Sequence, residues 1–298
     1  MTDERIRRAV VIAAGFGSRL RGGDDNGPKP LRRVESVPLL TRVLRSLAAS
    51  GIEEAAIVLG YQADEIRTAI ERETGLGLSV SYVLNEQYSK SNGVSVLAAR
   101  NFVADGCVLS MADHLYSPRV VSAVLGSEFA AGSSVLGVDY EIARCFDIDD
   151  ATKVRVENGR IVEIAKSLSN YNALDCGVFR IGPSLIEALD VVYRQKGDCS
   201  LSDGVQTLSR RGEFFASDIG GACWIDVDTP EAAQHAAHLL RVLGDDLEGP
   251  SESRGGFAVG RPASFPAGPA LWHATRVGAG LEPVRSAGAR LPRPPDAE

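Results

Sequence analysis

Residues 9–14 read AVVIAA, six apolar side chains without a polar break. A strand with one wet face alternates apolar and polar residues, so an unbroken run of this length marks a strand covered on both sides. The run stops at Gly15, passes through GFGSRLRGGDDNG and closes on Pro28-Lys29-Pro30. A buried strand that empties into a glycine loop presents backbone N–H groups to an anion. Gly15 and Gly17 permit close backbone approach. Arg19 can grip non-bridging oxygens in a bidentate way. Lys29, stiffened between two prolines, suits a cation held near a reacting phosphorus. The dinucleotide fingerprint fails, because its third glycine would fall on Leu20, and no Gly-Lys-Ser/Thr follows for a phosphate loop of the ATPase kind. A nucleoside triphosphate is the expected ligand.

Strand and helix signals alternate after this loop. Helices are expected over 37–50, where apolar residues recur at helical spacing and Gly51 ends the run, and over 63–73, 94–102 and 118–125. Strands are expected over 55–59, 78–84, 107–111 and 134–138. Short connections between them predict an α/β domain with a largely parallel sheet. After Asp139 the pattern changes. Residues 152–156 and 161–164 flank Asn158-Gly159 and read as a hairpin. A strand over 176–181, helices over 184–195 and 201–210, a strand over 222–227 and a helix over 230–243 follow. This second half is expected to bind an acceptor on the same sheet.

A net charge of −7 and the lack of a long basic run argue against nucleic acid as a partner. A negative protein that holds a polyphosphate needs local cations, which gives Arg19 and Lys29 added meaning. The five cysteines lack a C-x-x-C pair, which argues against zinc and against a disulfide framework. MTDERIRR runs straight into the first strand, and no apolar run is long enough for a bilayer. A cytoplasmic protein with reduced thiols is expected. Residues 245–298 hold 16 Gly or Pro residues of 54, a share associated with low complexity. The expected organisation is therefore a catalytic domain over 1–244 and a disordered tail over 245–298.

Acidic residues supply the second half of the chemistry. Asp113 follows the 107–111 strand, at the carboxyl end where open α/β sheets place ligands. In Trp224-Ile225-Asp226-Val227-Asp228-Thr229-Pro230, alternation puts Asp226 and Asp228 on one face. One aspartate at one strand end and a pair at another can share a Mg²⁺ bound mainly to phosphate oxygens and water. His114 reads as an orienting group, since a phosphate nucleophile is already ionised and needs no base. Lys166 follows the second hairpin strand and can reach an acceptor phosphate. Asn92-Gly93, at a helix start, can offer an N–H to a base or ribose.

Ala13-Ala14-Gly15-x-Gly17-Ser18-Arg19 with Pro28-Lys29-Pro30 resembles the signature of the sugar-phosphate nucleotidyltransferases. Gly60-Tyr61, Met111-Ala112-Asp113-His114 and the Trp224–Glu231 stretch match later landmarks in order, and the resemblance covers residues 8–243. Asn92-Gly93-Val94-Ser95, the hairpin segment ending in Lys166, and Asp175-Cys176-Gly177-Val178-Phe179 are most similar to CTP:inositol-1-phosphate cytidylyltransferases. The resemblance implies a three-layer α/β/α Rossmann-like fold with a mostly parallel mixed sheet. It implies nucleotide contacts from Ala13, Ala14, Gly15, Gly17, Ser18, Arg19, Lys29, Asn92 and Gly93. It assigns Mg²⁺ to Asp113, Asp226 and Asp228, and the acceptor phosphate to Lys166. The implied reaction moves a nucleotidyl group, CMP from CTP, onto a phosphorylated alcohol. Phosphonates and phosphocholine are acceptors of related enzymes. A nucleotide-sugar glycosyltransferase is the competing enzyme class, and a non-catalytic nucleotide sensor the competing binding class. Relatives of this kind often carry a fused membrane domain, whereas this chain ends in the Gly/Pro-rich segment.

Overall fold

The computed structural model describes residues 6–17, 27–103, 106–127, 129 and 133–249. In chain order the elements are β1 (Arg8–Ile12), β2 (Arg33–Val34), β3 (Val37–Pro38), α1 (Leu39–Ala49), β4 (Glu54–Leu59), α2 (Ala63–Glu71), β5 (Ser79–Leu84) and α3 (Asn92–Ala98). Then come β6 (Cys107–Met111), β7 (His114–Tyr116), α4 (Pro118–Leu125), β8 (Ser134–Asp139), β9 (Lys153–Glu157), β10 (Arg160–Ala165) and β11 (Ala173–Ile181). The last are α5 (Pro183–Lys196), α6 (Leu201–Arg210), β12 (Phe214–Asp218), β13 (Trp224–Asp226) and α7 (Pro230–Leu243).

Among the described residues, nine strands form one sheet in the order β5-β4-β1-β6-β11-β8-β12-β10-β9. The β5, β4, β1 and β6 strands run parallel, β11 runs against both β6 and β8, and β12 is again parallel to β8. The sheet is mixed, with a parallel half built from the first 111 residues.

The apolar run of β1 feeds both faces. Ala9 and Val11 pack with α1, α2 and α4, whereas Val10 packs with α3, α5 and α6. Val10 and Val11 have no solvent exposure, and a fully buried side chain of this size contributes about 1.5–3 kcal/mol relative to an exposed one. The two-sided cover gives three layers, α/β/α.

Several local expectations shift. The helix over 94–102 starts at Asn92 and gives way to a 3₁₀ turn at Arg100–Phe102. The strand over 222–227 shortens to Trp224–Asp226, which pairs with β7 outside the main sheet. Strand β12 was hidden in FFASD, whose period-2 pattern is too short to separate from a loop. Packing also continues past residue 244. Asp245 accepts a 2.9 Å bond from the buried Arg42 guanidinium, and Leu247 is 4% exposed within the α7 cluster. The rest of the proposed tail, residues 250–298, lies outside the described residues.

The hairpin turn is as read. Asn158 and Gly159 both take positive φ, 50° and 74°, the geometry that Asn-Gly favours between twisted strands.

Candidate active site

Four chain segments converge at the carboxyl edge of the parallel half. Ile12 of β1 pairs with Met111 of β6, so the residues after them, Ala13 to Gly15 and Ala112-Asp113, leave the sheet side by side. β13 pairs with β7 so that Asp226 lies opposite His114, and the Val227 N–H bonds the Asp113 carbonyl at 3.0 Å. Lys29 enters on a 3₁₀ turn, Lys29–Leu31, that begins after Pro28 and carries Pro30.

The Lys29 side chain is 9% exposed. Its Nζ donates to Asp113 Oδ2 at 2.6 Å, contacts Asp228 Oδ1 directly and lies 3.9 Å from Asp226 Oδ1. His114 Nδ1 donates to Asp113 Oδ1 at 2.9 Å and lies 3.8 Å from Asp226 Oδ1. Burial works against charge on both partners, yet the pair stays ionised. Burial raises the Asp113 pKa, but Lys29 and then His114 overcome it and hold the carboxyl well below the usual range. Burial lowers the His114 pKa, but Asp226 and Asp113 overcome it and raise it to about 9.

Asp226 is the least satisfied member. Its pKa is raised by burial, with Asp113 adding to the rise against His114 and Lys29. Its Oδ1 is buried and has no hydrogen-bond partner. Two groups of ligand atoms, Asp113-His114-Asp226 and Asp150-Asp226-Asp228, each lie within 4.8 Å of one another. Hard carboxylate oxygens in this number, one of them without a hydrogen bond, fit a hard divalent cation.

The predicted metal set of Asp113, Asp226 and Asp228 is thus brought together, and Lys29 with it. Lys166 lines the same cavity of about 240 Å³, but its Nζ donates to Asp150 Oδ1 at 2.9 Å. Gly17 has a φ of 59°, and a Cβ there would lie 2.6 Å from Lys29 Cβ. Its lack of a side chain seats the glycine loop on the lysine stem, in addition to any approach to phosphate. Gly15 has open space around it. Ala13 N–H and Ala14 carbonyl are taken by Val58 and Tyr61 of the neighbouring segment. Ser18 and Arg19 lie outside the described residues.

Asn92 and Gly93 also have a packing role. Asn92 Oδ1 accepts the Leu201 N–H at 2.8 Å, and a Cβ on Gly93 would meet the Cys199 carbonyl at 2.6 Å. These residues lock α3 onto the start of α6, although Asn92 also borders the cavity.

Three features escaped the sequence reading. Asp150 sits in DIDD, which reads as a solvated acidic run. Asp139, 4% exposed, accepts Trp224 Nε1 at 2.9 Å, and the Trp224 ring lies parallel to His114 with centroids 6.3 Å apart. Asp175 borders the cavity with its pKa raised to about 6 by burial, against the Gly177 N–H and His114.

Gly177 is a sharp local constraint beside His114. It takes φ 73° where β11 shifts register, and a Cβ would lie 2.5 Å from His114 Cδ2. Gly177→Ala is expected to cost at least ~2 kcal/mol, from left-handed strain plus displacement of the His114 ring. Urea denaturation checks this, and a loss below ~0.5 kcal/mol would show that the bulge relaxes freely.

Residues 9–144 match the MobA-like NTP transferase domain. The match spans β1, the glycine loop, Lys29 and Asp113, so the lysine and the first carboxylate lie inside this domain. Over 238 residues the chain is 39% identical to the "Bifunctional IPC transferase and DIPP synthase" of Rubrobacter xylanophilus, covering 78% of this chain and 52% of that one. It is 29% identical to the "CMP-5'-(3-aminopropyl)phosphonate synthase" of Streptomyces rubellomurinus, covering 75% and 37%. The inositol-1-phosphate CTP transferase structure from T. maritima superposes with a TM-score of 0.72 at 26% identity, covering 83% of this chain and 98% of that one. The chain spans about half the length of the bifunctional relatives it matches. The matched segment and the residues after it together form a nucleotidyltransferase fold. Among the described residues, no helix is long and apolar enough to cross a membrane.

Proposed function

We propose that the protein transfers CMP from CTP to a phosphorylated alcohol of the inositol-1-phosphate type and releases pyrophosphate. The observation that carries this reading is the buried Lys29 ammonium among Asp113, Asp226 and Asp228, beside Gly17, with those carboxylates and Lys166 bordering one cavity. The likeness to the inositol-1-phosphate CTP transferase of T. maritima supports CTP and inositol-1-phosphate as the first pair to try.

The reaction is an in-line attack by an acceptor phosphate oxygen on the α-phosphorus. Its difficulty is the approach of two anions, so charge neutralisation and alignment dominate. Lys29 donates to an oxygen of the transferred group. Lys166 exchanges Asp150 for the acceptor phosphate. Arg19 is assigned to the leaving pyrophosphate on its motif position alone. His114 moves no proton; it holds Asp113 in place under the Trp224 ring. Mg²⁺, held by Asp113, Asp226 and Asp228, supplies further positive charge on the phosphates when bound.

The test is pyrophosphate release with each NTP against inositol-1-phosphate, phosphocholine, aminoalkylphosphonates and sugar-1-phosphates. CTP with inositol-1-phosphate is expected to be fastest. Release only with a phosphonate moves the acceptor class, and no release with any pair overturns the transferase reading. Lys166→Ala is expected to raise the acceptor KM roughly 10–100-fold, the scale of one lost charge-assisted hydrogen bond. The CTP KM should hold steady; a rise in the CTP KM instead would place Lys166 on the nucleotide.

A further inference from the structure

Lys29 lies on the oxygens that the divalent cation needs. Its Nζ is 2.6 Å from Asp113 Oδ2, touches Asp228 Oδ1 and is 3.9 Å from Asp226 Oδ1. A small divalent ion binds carboxylate oxygens at about 2.0–2.1 Å. It cannot share those lone pairs with an ammonium, and two cations so close repel strongly where solvent is scarce. The Lys29 ammonium and the His114 imidazolium together still leave three carboxylates under-neutralised, and Asp226 Oδ1 has no hydrogen-bond partner. The site therefore keeps a demand for more positive charge while the lysine occupies its oxygens.

The lysine is also in contact with the loop that would carry the nucleotide. Pro28 and Pro30 fix its backbone, and Gly17 lies against its stem, with room for no Cβ. The four-carbon stem leaves the ammonium free to swing while the backbone stays fixed.

We infer that Lys29 is a built-in counter-ion that blocks free divalent metal from the carboxylates, and that the triphosphate opens the site by drawing the ammonium onto its own oxygens. Metal and nucleotide then enter together, and neither ion-pair partner is left bare between turnovers. The inference rests on the reading of Asp113, Asp226 and Asp228 as the metal-holding set.

The test is calorimetric titration of the full chain with MnCl₂ in the absence of nucleotide. Lys29→Met keeps the buried stem and removes the charge, and it is expected to bind Mn²⁺ at least ~10-fold more tightly than wild type. Lys29→Arg, which keeps the charge, should bind Mn²⁺ as weakly as wild type. MnCl₂ should also raise the melting temperature of Lys29→Met more than that of wild type. Equal or weaker Mn²⁺ binding by Lys29→Met overturns the blocking role. If that variant folds only with MnCl₂ present, the result supports it. If it folds under neither condition, Lys29→Gln carries the same titration and the same criterion. Pyrophosphate release by wild type with EDTA separates the two layers. Metal-dependent release with no affinity gain in Lys29→Met removes this inference alone. Release that survives EDTA, with no Mn²⁺ bound by any variant, removes the metal-site reading beneath it.

Discussion

Lys29→Ala is expected to lower CTP-dependent pyrophosphate release by at least ~100-fold at saturating acceptor and Mg²⁺, the scale of one preorganised electrostatic group. Its side chain is a largely buried cation on three carboxylates, and the reaction brings two more anions to the same place. Without the ammonium, Asp113, Asp226 and Asp228 face the triphosphate with less positive charge to offset them. Tighter binding of free metal by lysine-free variants is not expected to restore the rate, because a metal ion would not supply the hydrogen bond that the ammonium gives the transferred group. Stopped assays across CTP concentration check this, with circular dichroism to confirm folding. A turnover within threefold of wild type would remove Lys29 from the transferred phosphoryl group.

Much of this arrangement is legible in the sequence because each part has a local signal. The unbroken 9–14 run announces a strand covered on both faces, and β1 does feed two cores. Asp113 after an apolar strand and Asp226-x-Asp228 before a helix mark strand ends, and the fold joins them through β7 and β13. What stayed hidden depends on contacts between distant segments. The ladder that places Asp226 opposite His114 involves only three residues on each side. Gly93 is small because the 199–200 backbone crosses it, a fact that no motif near residue 93 contains. Asp139 looks like any strand-ending acid until Trp224, 85 positions away, donates to it. Lys166 was legible as a cation after the second hairpin strand but not as the partner of Asp150, because DIDD has no periodicity to set which acid turns inward.

Asp226→Asn is expected to separate activity from stability. Activity should fall at least ~100-fold, since on the proposed reading the variant loses one anionic ligand from the set that would hold the cation. Stability in EDTA should hold or rise. Asp226 keeps a buried Oδ1 without a hydrogen-bond partner, and burial with Asp113 raises its pKa against His114 and Lys29. A carboxyl whose pKa is higher in the folded chain binds its proton more tightly there. Its contribution to stability is then most favourable below its unfolded pKa and is lost as pH rises through the folded one. The asparagine carries no such penalty. The melting temperature of Asp226→Asn relative to wild type should therefore climb between acid and neutral pH. Differential scanning calorimetry in EDTA across that window checks the sign. A variant that melts lower than wild type at neutral pH, by a margin that grows with pH, would mean that Asp226 holds Lys29 and His114 in place more strongly than its burial opposes it.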